Sequence, residues 1–320
     1  MTHPKTSQLS RFVYSGMTTD PVLQRLSEPY QLQKTMNLFM LTQDLHAFPY
    51  RDDRVNVSVE SSPTRPDWEK TVAKAVAHSS RYGGERYRRG LDEALRDLAE
   101  FCVPHVLLFG EAAYEIVYSN PDKDGRWQSF FLARVHPYQR RLGRHRHYKA
   151  AVGDQSGEWV TLPDDRVVVF RLEPKKQRAM VRAAIQVLAS SSPGVLLRGD
   201  LIGKPGYDVS TAIRAERALM AKATRDLGWN GRSMYHEYSS APYETLRNLK
   251  FALFESQMRE MIVEGVQQAL DKVAVVLGVQ SQIHVECHPT LSEIQAAIHD
   301  LEVGPGRDKS LWQLERPIIL

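Results

Sequence analysis

The sequence has little that would mark a secreted, membrane-bound or catalytic protein. Two cysteines in 320 residues, Cys102 and Cys287, are too few for a disulfide framework, and both read as buried thiols of a reducing interior. No uninterrupted apolar run is long enough for a membrane span. The opening MTHPKTSQLSR has no apolar segment, so no secretory signal is predicted, and the glycosylation-like Asn56-Val57-Ser58 carries no meaning. Charge is not concentrated in one sign. A net charge of +4 permits nucleic acid as a partner without demanding it, because strong duplex binders carry a denser basic face. Apolar content of 42% and charged content of 25% suit a folded protein with a sizeable core.

Catalytic signatures are also missing. The nearest approach to a phosphate loop is Gly199-Asp200-Leu201-Ile202-Gly203-Lys204-Pro205. It is one residue short, and proline replaces the hydroxyl that would hold magnesium while removing an amide donor. His284, Cys287 and His288 lack a second cysteine pair and read as strand or surface residues rather than metal ligands. Asp122-Lys123-Asp124-Gly125 starts like a calcium loop but no glutamate closes it. Asp164-Asp165 reads as a turn. There is no nucleophile elbow, zinc-binding helix or dinucleotide fingerprint. The expectation is a protein without cofactor or metal that is not an enzyme. A rival nucleic-acid-processing enzyme would have to use dispersed residues such as His136, Asp164, Asp165 and His284.

What is present is a mixed α+β pattern. Residues 1–30 are patternless and read as a flexible arm. Leu32, Met36, Phe39, Met40 and Leu45 predict a helix, and Val55, Val57 and Val59 alternate as a half-buried strand. Asp67 is a candidate cap for a helix burying Trp68, Val72, Ala75 and Val76. A helix over Glu85–Phe109 would bury Leu91, Leu95, Leu98, Phe101 or Cys102, and Val106, with Pro104 kinking it or ending it early. Gly110 ends it. Strands Ala112–Tyr118 and Trp127–Val135 flank the turn residues Asn120–Gly125. Arg140–Lys149 is the densest basic run. Strands Tyr148–Val152, Glu158–Thr161 and Arg166–Leu172 complete a β-rich block.

Past Pro174 the pattern becomes helical. Helices Lys175–Ser190 and Asp208–Leu227 bracket the Gly/Pro-punctuated SSPGVLLRGDLIGKPGY, and Trp229–Pro242 is an aromatic loop. A long amphipathic helix follows from Tyr243 to Leu277, with an apolar stripe through Leu246, Leu249, Leu253, Met258, Met261, Ile262, Val266, Leu270, Val273 and Leu277. Glu255 and Arg259 form an i,i+4 pair, and Gly265 interrupts the helix at a cost of about 1 kcal/mol relative to alanine. Strand Ile283–Cys287 and helix Leu291–Leu301 finish the pattern.

The stretch Gly110-Glu111-Ala112-Ala113-Tyr114-Glu115-Ile116-Val117, its turn ending at Gly125, and the strand running into His136-Pro137 resemble the wing region of the portal proteins of tailed bacteriophages. The later order, helix, Gly/Pro-rich excursion, helix, aromatic loop and long helix, is similar to the family's stem, clip, stem, tunnel loop and crown-directed helix. Tyr243–Phe251 is similar to portal sequences that precede that last helix. The resemblance spans residues 31–302. It implies a wing at 31–173, stem helices at 174–190 and 208–228, a clip at 191–207, a tunnel loop at 229–242, a long helix with a reduced crown at 243–302, and a tail at 303–320.

The same resemblance implies a dodecameric ring at one capsid vertex of the virion, assembled in the host cytoplasm, through which double-stranded DNA is packaged and ejected. The implied partners are other copies of the chain, DNA read without regard to sequence, major capsid protein, scaffold, terminase and a head–tail adaptor, with no membrane. Terminase would supply ATP hydrolysis. DNA-channel candidates are Lys175, Arg178, Arg214, Arg217, Lys222 and Arg225, although a solvated helix face accounts for the same charges. Clip candidates for docking terminase or connector are Leu196, Leu197, Arg198, Leu201, Ile202 and Lys204. Tunnel-loop candidates are Trp229, Asn230, Arg232 and Tyr235. Arg140–Lys149 becomes a wing feature facing the capsid or a neighbouring subunit, since no recognition helix accompanies it. Another virion structural protein, such as an adaptor built as a simple helical bundle, and a monomeric nucleic-acid-binding module are the remaining alternatives.

Overall fold

The computed structural model describes residues 41–45, 47–48, 55–77, 90–150, 157–173, 178–184, 224–229 and 241–303. These residues form an α+β fold with three small antiparallel sheets. In chain order the strands are β1 Val55–Ser62, β2 Glu111–Pro121, β3 Trp127–Val135, β4 Tyr138–Arg141, β5 Arg144–Ala150, β6 Gly157–Leu162, β7 Val167–Arg171 and β8 Gln280–Cys287. The helices are α1 Trp68–Ala77, α2 Leu91–Phe109, α3 Ala241–Leu277 and α4 Leu291–Val303.

The central sheet has the order β3-β2-β7. One of its faces carries Ala112, Tyr114, Ile116, Phe130, Leu132, Val168 and Phe170, all buried in the main core with α1, α2 and α3. The opposite face carries Ala113, Val135 and Val167, which meet Leu162 of the β4-β5-β6 sheet. Strand β2 is therefore covered on both sides, which explains its unbroken run of buried residues from Ala112 to Ile116. Two arginines, a half-buried Arg96 and a buried Arg259, tie residues 47–48 to the helices: Arg96 Nε donates to the Phe48 carbonyl at 3.1 Å and Arg259 Nε to the Ala47 carbonyl at 2.6 Å.

The apolar spacing of α1 and α2 is realised as expected. Trp68, Val72, Ala75 and Val76 are buried, as are Leu91, Leu95, Leu98, Cys102 and Val106. Burial pushes the Cys102 thiol up, so it stays protonated and inert. Gly110 closes α2 with φ 83° and an amide bond to the Val106 carbonyl at 2.8 Å. Two local expectations are corrected. Pro104 does not end α2, which continues to Phe109. Val103, Val106 and Leu107 are buried there, and burying residues of this size at about 1.5–3 kcal/mol each outweighs the roughly 3 kcal/mol proline penalty. Asp67 adopts φ 60° and its carboxylate pairs with Lys70 at 2.6 Å, so its carbonyl rather than its side chain receives the first helical amide, from Thr71.

The turn between β2 and β3 is organised by Asp122. Its Oδ1 accepts the backbone amides of Asp124 at 2.9 Å and Arg126 at 2.7 Å, and its Oδ2 accepts Gln128 Nε2 at 3.1 Å. That carboxylate is spent on the turn.

Helix α3 is 37 residues long and begins at Ala241, so Pro242 belongs to its first turn rather than to the preceding loop. Its stripe from Met258 to Leu277 lies in the main core, while Leu249 and Ala252 pack with Ile294, Ala297 and Ile298 of α4. A reciprocal cap starts α4: the Thr290 amide donates to Glu293 Oε2 at 2.7 Å, and the Glu293 amide donates to Thr290 Oγ1 at 3.3 Å. Strand β8 pairs antiparallel with β1 over its whole length, from Val55↔Cys287 to Ser62↔Gln280. The segments expected as wing and as long helix with crown thus share one core.

Candidate functional site

The basic run is a β-hairpin. Arg140, Arg141 and Arg144 lie on β4 and β5, joined by a two-residue turn in which Leu142 has φ 50° and Gly143 φ 78°. Two consecutive positive φ angles define the tight turn that matches strand twist, where Asn-Gly is favoured. Leucine in the left-handed region costs about 1 kcal/mol, and here it recovers nothing by burial, being 92% exposed.

Register sets the two faces. Tyr138 stands opposite His147 and Arg140 opposite His145, while Gln139 faces Arg146 and Arg141 faces Arg144. The first set shares its side with Leu162, across from His145 on β6, and through Leu162 and Tyr138 that side meets the central sheet. The second set forms the other side. The direct pair Arg141–Arg144 sets like charges opposite each other, an arrangement that destabilises a hairpin. No acidic residue occurs from His136 to Ala150. Arg146 lies over the ring of Trp159 at 5.6 Å, and Trp159 meets Tyr148 edge-on at 5.4 Å.

At the hairpin base, Tyr138 Oη and His145 Nδ1 are 2.7 Å apart, and His145 Nε2 is 3.7 Å from Asp164 Oδ1. Burial, with Glu111 nearby, pushes the Tyr138 phenol up to about 12. The phenol therefore holds its proton and donates it to the imidazole. Burial also lowers His145, although Asp164 pulls the other way. The Tyr138–His145 hydrogen bond is a strut under the hairpin with Asp164 beside it, and its tyrosine is poorly suited to act as a base or nucleophile near neutral pH.

A second polar group lies between α2 and β3. Arg134 donates to His105 Nε2, so the Nδ1 hydrogen of His105 points to the Phe101 carbonyl at 3.0 Å. These two partners select one neutral tautomer. Burial, then the Arg134 charge and His136, lower His105 to about 2, and burial, then Arg134 and His147, lower His136 to about 3. The His105 and His136 rings meet edge to face at 5.4 Å, with Phe109 beside both. This largely buried seam links α2 to the end of β3.

No protein-family model matches this chain, and no curated protein matches it in sequence.

Of the residues singled out from sequence, Lys175, Leu196, Leu197, Arg198, Leu201, Ile202, Lys204, Arg214, Arg217, Lys222, Asn230, Arg232 and Tyr235 lie outside the described residues. Arg178 is placed on a helical stretch, 3.8 Å from Glu173, whose carboxylate also holds Arg171 at 3.0 Å. Arg225 is exposed in a turn. Trp229, expected in the tunnel loop, lies outside helix and strand yet is 2% exposed: its indole N–H donates to Asp44 Oδ2 at 2.9 Å, and its carbonyl accepts Arg247. It sits there because Gly228 turns at φ 73° directly against the α3 backbone, where any Cβ would lie 2.3 Å from the Arg247 carbonyl oxygen. His284 stands opposite Ser58 in the β1–β8 pair and reaches the diagonal neighbour Glu60 at 3.6 Å, and among the described residues no three His, Cys, Asp or Glu side chains group as a metal site.

Sequence reading missed β4 and the tip turn. The signal was present as Tyr138, Arg140, His145 and His147 at period two around Leu142-Gly143. It was hidden because the buried positions are aromatic and imidazole rather than aliphatic.

Proposed function

We propose that this chain is the subunit of a portal ring of a tailed bacteriophage, a non-enzymatic conduit for double-stranded DNA at one capsid vertex. The observation that supports this reading most directly is the position of Ala184 and Thr224, the described residues on either side of 185–223. Ala184 is 3% exposed and Thr224 2%, and Ala184 and Leu227 belong to the same core. A stem of two helices joined by a clip needs both roots anchored in one body, and these two positions meet that need. The 37-residue α3, which starts at Ala241 and packs along the same core, fits the helix that follows a tunnel loop.

A ring closes when one surface of each copy meets a different surface of the next by a fixed rotation. A passage for sliding DNA wants mixed charges, because many tight phosphate contacts repeated around a ring would hold the duplex in place. On this reading capsid protein, scaffold, terminase and a head–tail adaptor dock outside the lumen, and terminase supplies the ATP chemistry. Light scattering coupled to size-exclusion chromatography, with negative-stain imaging, tests it. Annular particles on the order of a dozen copies are expected for a portal, and a chain that stays as single copies at all concentrations overturns the reading.

A further inference from the structure

We propose that the β4–β5 hairpin is a duplex nucleic-acid contact, seating its arginines on backbone phosphates and presenting Leu142 to a groove. The inference rests on the hairpin itself and goes beyond the ring reading, whose DNA contacts would lie on the stem helices.

Two features of the tip work against the isolated chain. Leu142 occupies a left-handed position suited to Asn or Gly while 92% exposed, and Arg141 stands directly opposite Arg144. Neither is repaid by a neighbour among the described residues, which place no carboxylate within ion-pair distance of Arg140, Arg141 or Arg144. Local rules broken together at an exposed tip point to a requirement met outside the chain.

The chemistry selects the partner. The tip from Arg141 to Arg144 projects past β6, whose pairing with β5 begins at His145, and a two-stranded tip fits the major groove of a duplex, so no recognition helix is needed. Phosphates then line both walls. The hairpin is cationic on both faces, with Arg140 on one and Arg141, Arg144 and Arg146 on the other. An acidic protein surface would meet one face and leave the rest unpaired. Leu142 between the arginines is then placed to meet the thymine methyl groups that the major groove exposes. Trp159 beneath Arg146 holds that guanidinium in place before binding.

The full chain is titrated against a fluorescently labelled mixed-sequence duplex, by anisotropy, through a salt series. The wild type is compared with the double variant Arg141→Ala, Arg144→Ala and with Leu142→Asn. The double variant is expected to bind about tenfold more weakly at low salt, with the log–log salt slope reduced by about two, one for each lost phosphate contact. Leu142→Asn is expected to weaken binding without changing the slope. Thermal melts of both variants should match or exceed the wild type, because each removes an unfavourable local feature, so lost binding will not reflect unfolding. No duplex binding by the wild type, or variants that bind as it does, would overturn the proposal. So would tighter binding to polyglutamate or to anionic phospholipid vesicles than to duplex, which would assign the hairpin to a protein or lipid surface. Light scattering on the same samples keeps the readings apart: rings whose affinity ignores the substitutions sink only the hairpin contact, and monomers that bind through it sink only the ring.

Discussion

Gly265 lies inside α3, where alanine would be favoured by about 1 kcal/mol on helix propensity alone. Phe170 decides otherwise. A Cβ at Gly265 would lie 2.2 Å from Phe170 Cε1, and that ring is 1% exposed, packed edge-on against Tyr114 at 5.2 Å. Gly265→Ala is therefore expected to destabilise the fold by about 1–3 kcal/mol despite its better propensity, because overpacking a filled core forces strain. Denaturant unfolding of Gly265→Ala, Phe170→Leu and the double variant checks this. The double should be more stable than the sum of the single losses predicts, since the smaller side chain vacates the space that the methyl needs. The glycine stood out in the sequence as an unexplained cost inside a helix. Its reason did not, because Phe170 is on β7, far away along the chain. Trp229 teaches the same lesson: an aromatic beside Gly and Asn looks like loop furniture until Asp44 and Arg247 close around it.

Whole elements were legible where their burial is one-sided and aliphatic. The bounds of β3, the stripe of α3 and the turn at Asn120–Gly125 follow from period and turn chemistry. Where polar side chains do the packing, period failed, as in β4; in the half of α2 that follows Pro104 the period held and the proline misled. That half is held to β3 by His105 and Arg134, which makes its attachment sensitive to acid. His105 is lowered to about 2 and His136 to about 3 in the folded state, against 6.5 for the free side chain. Above about pH 6.5 both are neutral folded or unfolded, and their contribution to stability is fully present. Below it the unfolded chain takes up protons that the native seam refuses. Stability then falls by about 1.4 kcal/mol per pH unit for each histidine until the folded values are approached. Urea midpoints measured from neutral pH down to about pH 5 should show this decline. His105→Gln should flatten it by about half while lowering stability near neutrality, because the contacts of the His105 ring with Arg134 and the Phe101 carbonyl are lost. A variant with an unchanged acid slope would mean that other groups govern it.

At the scale of the molecule, the first described strand is paired with the last, and a two-stranded sheet of this kind is marginal by itself. What makes it part of the fold is its attachment to the helices. Trp68 Nε1 of α1 donates to Ser281 Oγ at 2.8 Å, and Arg65 reaches the Leu277 carbonyl at 3.3 Å. Gln267 of α3 does more: its Nε2 donates to the Ser281 carbonyl at 2.9 Å, and its Oε1 accepts the Ile283 amide at 2.9 Å. One side-chain amide thereby stands in for a neighbouring strand along the edge of β8 that faces α3, an edge that would otherwise be open to pairing with another chain. Gln267→Ala should cost about 1–3 kcal/mol by leaving those two backbone groups unpaired. Hydrogen exchange gives the sharper readout. Because β1 and β8 depend on each other through every register pair, amides of Val55–Ser62 should lose protection together with those of Gln280–Cys287, although Gln267 touches only β8. Protection in the central β3-β2-β7 sheet should change little, since its faces are covered by α1, α2 and the β4-β5-β6 sheet. If only the Ile283 amide responds, the strand pair is anchored elsewhere and Gln267 is a local contact.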